Sequence, residues 1–596
     1  MSDEAPHEAQ GNKRNNRKRK KSFLKNARKY AKKGHYGRGS HIEADTYQYF
    51  VRIMETYREG FDNDEDKANF VNNVFEQTEN TEVNCSCNQV GCRVVEMLIP
   101  FANDSVLERF MKAFSDDIRP ICSDRFATHV LEALVTQSTQ RSLKTDLPDK
   151  TKEMYKAFTI KISKFLLNNM EDFIWDTYGN HVIRTCLLNL ALLPKEDDKK
   201  PQQKKNTEIK EEEEKNTDVP EYYSEIIKDY AERLIVWPQF KELCSSELTS
   251  GFLQILLKTL RKVDKKLLRK YLEKFLEDLF APENNKNIDN PDSFPQVFLS
   301  KPAMMILEMA LQVAKSKMFT QIYVKCFSGK LVKLAKTRNT NFAVQKLLNH
   351  CNDKAEFEAM FDELADSFLE IVEAGHSGVI LSLGQSCKRL SAKQGNYVQS
   401  IMKCFGCEQE DQSHHLIICL SRLTSLEKMK GTSNENLQKE KLNLHGTLIL
   451  QLMLEFNKPI KIVNGILNTD INDLKNLFSN SMGSHIVDSY VKSAFVGEKS
   501  REKLVRKMKG TYQELASSKF GSRCFEALWN AANLKSRLAI MDELLYKDGA
   551  WSNSDHGKII SNKINFILYK RSKEEWKNNL NKTTDKTKEM FADVLK

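Results

Sequence analysis

Residues 520–528 alternate between apolar and polar side chains in a way that predicts a short helix with two different faces. One face is an apolar stripe made of Cys524, Phe525 and Leu528. The other face has the same spacing, lies about 200° away at 3.6 residues per turn, and consists of Ser522, Arg523 and Glu526. A hydroxyl, a guanidinium and a carboxylate gain nothing from burial in a core. The pattern therefore predicts a helix that packs on one side and offers polar groups for contact on the other.

The same pattern recurs along the chain as a five-residue slot, whose first, second and fifth positions carry the polar or flat side chains. Eleven slots begin at residues 92, 128, 180, 251, 304, 341, 377, 447, 484, 522 and 558. Six of the ten spacings fall at 36–38 residues, and the other four are longer by lengths typical of insertions. A helical unit with this period predicts an all-α fold, a curved α-solenoid of about eleven repeats that bury their apolar stripes against one another.

The longer spacings predict insertions within the repeat region, which lies between two charged tails. Four inserts are expected, near residues 136–150, 195–220, 281–297 and 425–440. The second is a run of charged residues and the third is rich in Asn, Asp and Pro, which is typical of loops. The 70-residue spacing before residue 447 also leaves room for a degenerate repeat near residues 414–418. The predicted domains are a basic tail (1–44), a repeat solenoid (45–570) and a charged helical tail (571–596).

Positive charge is concentrated at the N-terminus. The whole chain has 92 Lys+Arg and 81 Asp+Glu, a formal net charge of +11. Residues 1–40 hold 13 Lys+Arg and 3 Asp+Glu, or +10, which leaves 79 against 78, or +1, for the rest. Such a tail is expected to be disordered and to suit phosphate contact. Its densest run also predicts a nuclear or nucleolar address, carried by Arg17, Lys18, Arg19, Lys20 and Lys21.

Other candidate chemistry changes little. Thirteen cysteines follow no regular framework, and no signal peptide or apolar run of membrane length occurs, which predicts a reduced, soluble, intracellular protein. The cysteines at 85–92 and 404–407, the latter followed by His414 and His415, do not supply four ligands at zinc spacing. No phosphate-cradling glycine loop, His-Glu-x-x-His or nucleophile elbow is present. We therefore expect no metal, no cofactor and no enzymatic activity.

Two of the slots point to a known family. A helix that opens Gly-Ser-Arg-x-x-Glu (521–526) or Asn-Phe-x-x-Gln (341–345), repeated at these spacings, resembles the Pumilio (Puf) repeat. Those proteins read one RNA base per helical repeat with two or three side chains. The basic tail and the motifs at 88–96, 176–182 and 556–558 are similar to the nucleolar protein 9 family over roughly residues 45–570. The resemblance implies a monomeric nucleolar factor in small-subunit (18S) pre-rRNA maturation, with RNA and pre-ribosomal proteins as partners and no membrane.

The resemblance also implies roles for individual slots. Ser522 and Glu526 with Arg523 resemble a guanine reader, and Asn341 and Gln345 with Phe342 resemble a uracil reader. Repeat 1 is a guanine-like variant, and Thr447 with Gln451 is expected to prefer adenine. RNA strands that run antiparallel to the protein would place their 5′ side at the C-terminal repeats. The expected RNA-binding residues are Cys92, Arg93, Glu96, Thr128, His129, Glu132, Asn180, His181, Asn341, Phe342, Gln345, Thr447, Gln451, Ser484, His485, Asp488, Ser522, Arg523 and Glu526.

Several slots depart from the pattern, which makes base-by-base reading doubtful there. Three pairs have lost their polar or stacking groups, namely Gly251/Ile255, Met304/Met305 and Gly378/Leu381. Three further residues do not form the usual pairs, namely Arg184, Asp488 and Lys558. Flat residues at helical spacing are more often core than contact residues, so Phe252 and Phe342 each have a core alternative. The glutamates at fifth positions have a second alternative as solvated ion-pair partners.

Three functions remain open from the sequence. The favoured one is a pre-rRNA-binding solenoid that holds a partly single-stranded segment on its concave face and shields or shapes it. A Pumilio-type mRNA regulator predicts eight readable slots in an unbroken run, which this chain lacks. A HEAT- or armadillo-like scaffold for proteins would have the same helices, with the polar slots arising by chance.

Overall fold

The computed structural model describes residues 23–29, 31–32, 34–194, 218–280, 294–409, 412–430, 441–546 and 550–579. Within these residues every regular element is a helix, apart from one isolated antiparallel bridge between Gly39 and Asn88. The chain divides into two compact units, one ending at Met318 and the other beginning at Phe319. None of the described helices is long and apolar enough to cross a membrane. The predicted targeting run at 17–21 lies outside the described residues.

The first unit contains repeats 1 to 4 and the first two helices of repeat 5. Each repeat is built from a short first helix, a column helix that carries the slot, and a third helix. Helices Ala44–Glu59 and Asp64–Glu76 precede them. The column helices are Gln89–Leu98, Ala127–Ser142, Thr177–Leu190, Glu247–Val263 and Lys301–Val313. The first helices are Glu82–Ser86, Ile118–Ser123, Met170–Phe173, Phe240–Leu243 and the 3₁₀ turn Gln296–Leu299. The third helices are Asp104–Asp116, Asp149–Asn168, Glu221–Ile235, Lys265–Phe275 (extended by the π turn Leu276–Phe280) and Ser316–Cys326, which contains the unit boundary.

The second unit contains repeats 6 to 11 with the same order of helices. The column helices are Asn341–His350, Ser377–Arg389, Leu444–Leu454, Ser484–Lys492, Gly521–Ala531 and Asp555–Lys563. The first helices are Leu331–Lys336, Phe368–Glu373, Leu416–Arg422, Ile471–Phe478 and Tyr512–Ser517, with a turn at 551–553 in repeat 11. The third helices are Lys354–Leu364, Gln394–Phe405, Ile460–Asn468, Glu498–Lys507, Leu534–Tyr546 and Phe566–Arg571. The described residues thus contain eleven column helices, as the slot pattern predicts.

The column helices stack on one another in chain order within each unit. The apolar stripe explains the stacking, because the third and fourth slot positions of all eleven helices are buried. In repeat 10 these positions are Cys524 and Phe525, which are 1% and 0% exposed. Burial of a large apolar side chain contributes about 1.5–3 kcal/mol, and the core of each repeat is therefore shared with its neighbours in the same unit.

A carbonyl group of the first helix determines which residue can precede the slot. A Cβ atom on Gly483 would lie 2.0 Å from the carbonyl oxygen of Leu477, six residues earlier, so only glycine fits at this helix spacing. In repeat 6 a hydroxyl side chain at this position forms a hydrogen bond with the equivalent carbonyl oxygen. The Thr340 hydroxyl donates to the Leu334 oxygen at 2.6 Å. The glycine that opens many slots is therefore a packing residue of the repeat.

The described part of the long spacing before repeat 8 (residues 390–409, 412–430 and 441–446) contains an insertion and no additional repeat. A Cβ atom on Gly446 would lie 2.0 Å from the carbonyl oxygen of Leu420, so Leu416–Arg422 is the first helix of repeat 8. The insertion starts and ends at one point, because the Asn443 amide donates to the Ser421 carbonyl at 2.9 Å. The degenerate repeat predicted near residues 414–418 is therefore wrong. The segment has an apolar run because it is a buried first helix.

The insertion predicted near residues 136–150 is taken up by longer helices. In repeat 2 the column helix extends from Ala127 to Ser142 and the third helix from Asp149 to Asn168. Both helices are extended in the same repeat, so their additional turns pack against each other. The other predicted inserts fall largely on residues outside the described ranges, namely 195–217, 281–293 and 431–440.

Both ends of the repeat region extend further than the predicted domain boundaries. Residues 23–29 form a helix, and Leu24 and Ala27 on that helix are 7% and 5% exposed. At the other end, Trp576 is 1% exposed and its indole donates to the carbonyl of Ile564 at 2.9 Å. Each of these terminal segments has a few apolar side chains among its basic or charged residues. Burial of those side chains against the first or last repeat explains why the ordered region is longer than predicted.

Candidate nucleic-acid interface

The second slot position is the exposed position of the column helices. Phe342 is 59% exposed although it is a large apolar residue, and it lies on a helix whose neighbouring positions are buried. The basic and imidazole side chains predicted at this position are also accessible. Those that are exposed are Arg93, His129, His181 and Arg523, while His485 is half-buried. Flat side chains of this kind occupy the second position in six of the eleven repeats, namely repeats 1, 2, 3, 6, 9 and 10.

The first slot position is buried, which differs from the expectation that first and fifth residues project together. This holds for Cys92, Thr128, Asn180, Asn341, Thr447, Ser484 and Ser522. Each column helix begins near this residue, and a side chain there points back towards carbonyl groups that the preceding turn leaves open. The Asn180 side chain donates to the Ile174 carbonyl at 2.8 Å, and the Asn341 side chain donates to that of Arg338 at 2.6 Å. The first-position side chain therefore holds the start of the column helix in place, and its polar group is used in that contact.

The fifth slot position lies between the second positions of its own repeat and of the next repeat. In repeat 9, Asp488 Oδ2 is 3.6 Å from Nδ1 of His485, the second residue of the same slot. Hydrogen bonding with His485 lowers the pKa of Asp488 below its usual 3.8, and the charge of Arg523 in repeat 10 adds to the effect. A flat ligand that meets the Asp488 carboxylate edge would therefore have His485 on one face and Arg523 on the other.

Two repeats have glycine at the second position, and there the fifth side chain of the preceding repeat covers the gap. For repeat 4 this counts the slot from residue 250, the register indicated by the contact of Thr249 with the first helix. In repeat 4, a Cβ atom on Gly251 would lie 3.2 Å from Nη1 of Arg184. In repeat 7, a Cβ atom on Gly378 would lie 2.9 Å from Nε2 of Gln345. No stacking side chain is available at these two places, so a base bound between repeats 6 and 7 has only Phe342 to stack on.

Two fifth-position carboxylates are held by the residue that follows the slot in the next repeat. Glu132 Oε2 accepts a hydrogen bond of 2.8 Å from the Thr185 hydroxyl. Glu526 Oε2 is 2.7 Å from Nζ of Lys563 and the Glu526 side chain remains 33% exposed. The ion-pair alternative is thus present for Glu526, whereas Glu132 is held by a neutral hydroxyl. Both contacts fix the carboxylate and leave part of the side chain accessible.

The slot of repeat 4 is displaced by one residue from its predicted position. The Thr249 hydroxyl donates to the Leu243 carbonyl at 2.6 Å, the same six-residue contact that Thr340 makes in repeat 6. The slot therefore covers residues 250–254, and Phe252 falls at the buried third position with 0% exposure. The slots at 251–255 and 250–254 are distinguished only by the distance of their residues from the first helix. The slot sequence alone does not reveal that distance.

Two accessible residues of the column were not singled out from the sequence. Ile559 occupies the second position of repeat 11 and is 59% exposed. Phe23, from the N-terminal helix, lies on the Arg93 guanidinium of repeat 1, with 3.9 Å between Arg93 Cζ and the ring centroid. The position of Ile559 in its slot could have identified it. Phe23 lies in a basic segment that the sequence predicts to be disordered, so no sequence signal pointed to it.

The spacing of the column suits a single strand of bases. Packed helices are separated by about 8–10 Å, and flat groups in contact are about 3.5 Å apart. One base and one flat side chain therefore fit into each repeat. Arginine, histidine and phenylalanine at second positions can stack on bases of any sequence, while the half-exposed fifth position can accept or donate hydrogen bonds at a base edge.

Known proteins share this architecture. Residues 80–559 match the NOP9-like PUF repeat domain family. Nucleolar protein 9 of Homo sapiens is 22% identical over 567 residues, covering 90% of this chain and 88% of its own. Pumilio homolog 23 of Arabidopsis thaliana is 22% identical over 563 residues, covering 90% of this chain and 73% of its own. A solved structure of APUM23 with GGAAUUGACGG has a TM-score of 0.69 at 21% identity, covering 90% of this chain and 99% of that one.

These matches confirm the resemblance and the helical repeat fold predicted from the slots. The family match begins just before the first helix of repeat 1 and ends within the column helix of repeat 11. It therefore spans the first ten slots and the first two residues of the eleventh, including the slots with glycine or methionine in place of polar groups. The chain belongs to the family of NOP9-like PUF repeat domain proteins.

Proposed function

We propose that this protein is a nucleolar RNA-binding factor of ribosome biogenesis, which binds pre-rRNA along the column and is needed for maturation of small-subunit (18S) rRNA. The relatives named Nucleolar protein 9 support the nucleolar address. Bases stack between successive second-position side chains, and fifth-position side chains contact their edges. The protein acts as a monomer, by binding and without catalysis, beside proteins of the small-subunit precursor.

One observation carries the proposal: exposed flat side chains alternate with half-exposed hydrogen-bonding side chains along successive column helices. His485, Asp488 and Arg523 are the sharpest case, because the carboxylate is 3.6 Å from the imidazole of its own slot and the charge of the guanidinium in the next repeat helps to lower its pKa. A protein-binding scaffold has no physical reason to keep an accessible flat residue at the same helix position in six of its repeats. A base-binding column has one, since stacking contributes about 1–3 kcal/mol per base.

The proposed pairs of first and fifth positions keep a role in selecting bases. Ser522 and Glu526 with Arg523 would take guanine, and Asn341 and Gln345 with Phe342 would take uracil. In the second case the Gln345 amide donates to the Asn341 side-chain oxygen at 2.9 Å, so the two residues act as one unit. Burial of the first residue means that its contribution to selectivity comes largely through the orientation of the fifth.

Transcript-wide crosslinking in cells tests the class of RNA. Crosslinks concentrated on small-subunit rRNA precursors are expected, and crosslinks confined to mature mRNAs would support the Pumilio-type regulator instead. Depletion of the protein should lead to accumulation of 18S precursors. Unchanged precursor levels would contradict the proposed role in maturation.

Binding of RNA by the repeats alone separates the proposal from a protein scaffold. The chain from residue 23 onwards keeps every described residue and loses the densest basic run. It should still bind a selected single-stranded RNA with submicromolar Kd at moderate salt. Micromolar or weaker binding would favour the scaffold, because the remaining affinity would then be that of non-specific electrostatic contact.

A further inference from the structure

Phe23 and Arg93 form a stack that consists entirely of protein groups at the start of the column. Arg93 fills the second slot position of repeat 1, and its Cζ lies 3.9 Å from the centroid of the Phe23 ring. This is the spacing of a direct cation–π contact. We propose that Phe23 is a positioning residue that ends the base stack, by taking the place of a nucleobase on the outer face of Arg93. The inference rests on the proposed function, because it assumes that bases stack along the column.

Packing determines from which side Phe23 approaches. The column helix of repeat 1 has helix Ala44–Glu59 on one flank and the column helix of repeat 2 on the other. The helix at 23–29 is attached to the first flank, where the Tyr47 hydroxyl donates to the Ala27 carbonyl at 3.3 Å and Arg28 pairs with Glu55. Phe23 therefore meets the guanidinium from the side opposite repeat 2, which leaves the face towards repeat 2 for RNA.

The segment after this helix is fastened to the same residue that begins the column helix of repeat 1. The buried Asn88 side chain accepts a hydrogen bond from the Val90 amide at 2.9 Å and so caps the helix. Its Nδ2 also donates to the Ser40 carbonyl at 2.9 Å. The Ser40 amide in turn donates to the Cys87 carbonyl at 3.1 Å. Repeat 1 and the segment that delivers Phe23 thus form one structural unit.

This arrangement has two physical consequences. A free arginine side chain samples many rotamers, and a ring stacked on the guanidinium removes part of that freedom before RNA binds. The ring also excludes a further base from the outer face of Arg93. Phe23 therefore strengthens binding of the last stacked base and makes the column insensitive to an additional nucleotide at that end.

The test compares RNA length with the identity of residue 23. The probe is a single-stranded RNA that the full-length protein selects from a random pool, together with versions lengthened by one nucleotide at the 5′ or the 3′ end. The wild-type protein should bind all three equally. Phe23→Ala should weaken binding of the shortest RNA about 2- to 5-fold, the equivalent of one cation–π contact. Lengthening at one end only should recover part of that loss, since the new base replaces the ring.

Controls distinguish the inference from a structural effect and from failure of the proposed function. Phe23→Trp should bind like the wild type, and thermal melting should be unchanged in both variants because the ring lies at the end of its helix. Tighter binding by Phe23→Ala would overturn the inference, because the ring would then compete with a base. Equal binding by wild type and Phe23→Ala would also overturn it. If Arg523→Ala and Phe342→Ala also bind like the wild type, the proposed function itself fails.

Discussion

Exposure separates residues of the same type into those that can contact RNA and those that hold the repeat together. Phe342 and Phe252 both lie in column helices, yet one is 59% exposed and the other 0%. They differ by one position in register, which moves the ring from the open side of the helix to its buried stripe. Residue type and helical period predict that such rings exist at the slot, and the contact to the first helix decides which of them is free.

Substitution of Phe342 measures the stacking directly. Phe342→Ala should lower RNA affinity by about 1–3 kcal/mol. Gly378 in the next repeat offers no second ring, so a base in that place loses its only stacking partner. Binding titrations with the selected RNA give the size of the effect, and the melting temperature should be unchanged.

Phe252→Ala is the matched control for that substitution. Its ring is fully buried, so its removal should lower the free energy of unfolding by about 3–5 kcal/mol. Any decrease in RNA binding should then follow the decrease in folded protein. Destabilisation by Phe342→Ala of the same size would mean that both rings belong to the core.

Asp488 provides a prediction about acid stability. Hydrogen bonding with His485 lowers the pKa of Asp488 in the folded protein below its usual 3.8. A carboxyl whose pKa is lower when folded stabilises the protein above its unfolded pKa, and this stabilisation is lost as pH falls through the folded pKa. Asp488→Asn should therefore be less stable than wild type at pH 7. The difference should disappear in urea titrations well below pH 3.8, and a constant difference would exclude this linkage.

At the scale of the helix, the slot pattern indicates only indirectly how far the first helix lies from the column helix. Glycine before the slot suggests a helix start, and its actual cause is the close approach of the preceding element. In repeats 1, 9 and 11 the nearest atom is a carbonyl oxygen six residues earlier in the chain. The sequence predicts the number of column helices, because amphipathic period and slot recur together. It does not predict Leu416–Arg422 as a first helix, because 21 residues (423–443) separate that helix from its column helix.

Substitution of a junction glycine tests this cause. Gly483→Ala would place a methyl group 2.0 Å from the Leu477 carbonyl oxygen, so the two helices must move apart. Overpacking of this kind typically costs about 1–3 kcal/mol. Chemical denaturation should show that destabilisation, together with weaker RNA binding because the His485 slot moves with its helix.

Gly395→Ala is the control for helix propensity. Gly395 lies exposed in the third helix of repeat 7, and a Cβ atom there would meet nothing within 4 Å. This substitution should raise stability by about 0.5–1 kcal/mol. If both glycine variants were equally stable, the carbonyl contact would not be the reason for glycine at the start of the slot.

At the scale of the whole molecule, charge and selectivity are carried by different parts of the chain. The tail supplies most of the net charge of +11, while the repeats are nearly neutral and carry the stacking groups. Composition alone predicts this division. It does not predict where the ordered chain begins, because the buried residues Leu24 and Ala27 are few among basic residues, and their burial depends on helix Ala44–Glu59.

Removal of residues 1–22 should therefore change salt dependence more than sequence preference. This segment contains seven Lys+Arg, at positions 13, 14 and 17–21. For single strands, the slope of log K against log salt becomes shallower by about 0.7 for every phosphate that the protein no longer neutralises. Binding measured from low to high salt should show a shallower slope, and selection from a random pool should return the same consensus. A changed consensus would place base recognition in the tail.

The hydrogen bond between Ser421 and Asn443 marks an internal position of the sequence at which another protein can be inserted. Because the two ends of the excursion meet at 2.9 Å, a small folded reporter whose own termini are adjacent can be grafted between them. The fusion would leave the first residue and the last residue native. A fluorescent version made in this way would report where the protein resides in the cell with its proposed import signal and its RNA-contacting helices intact.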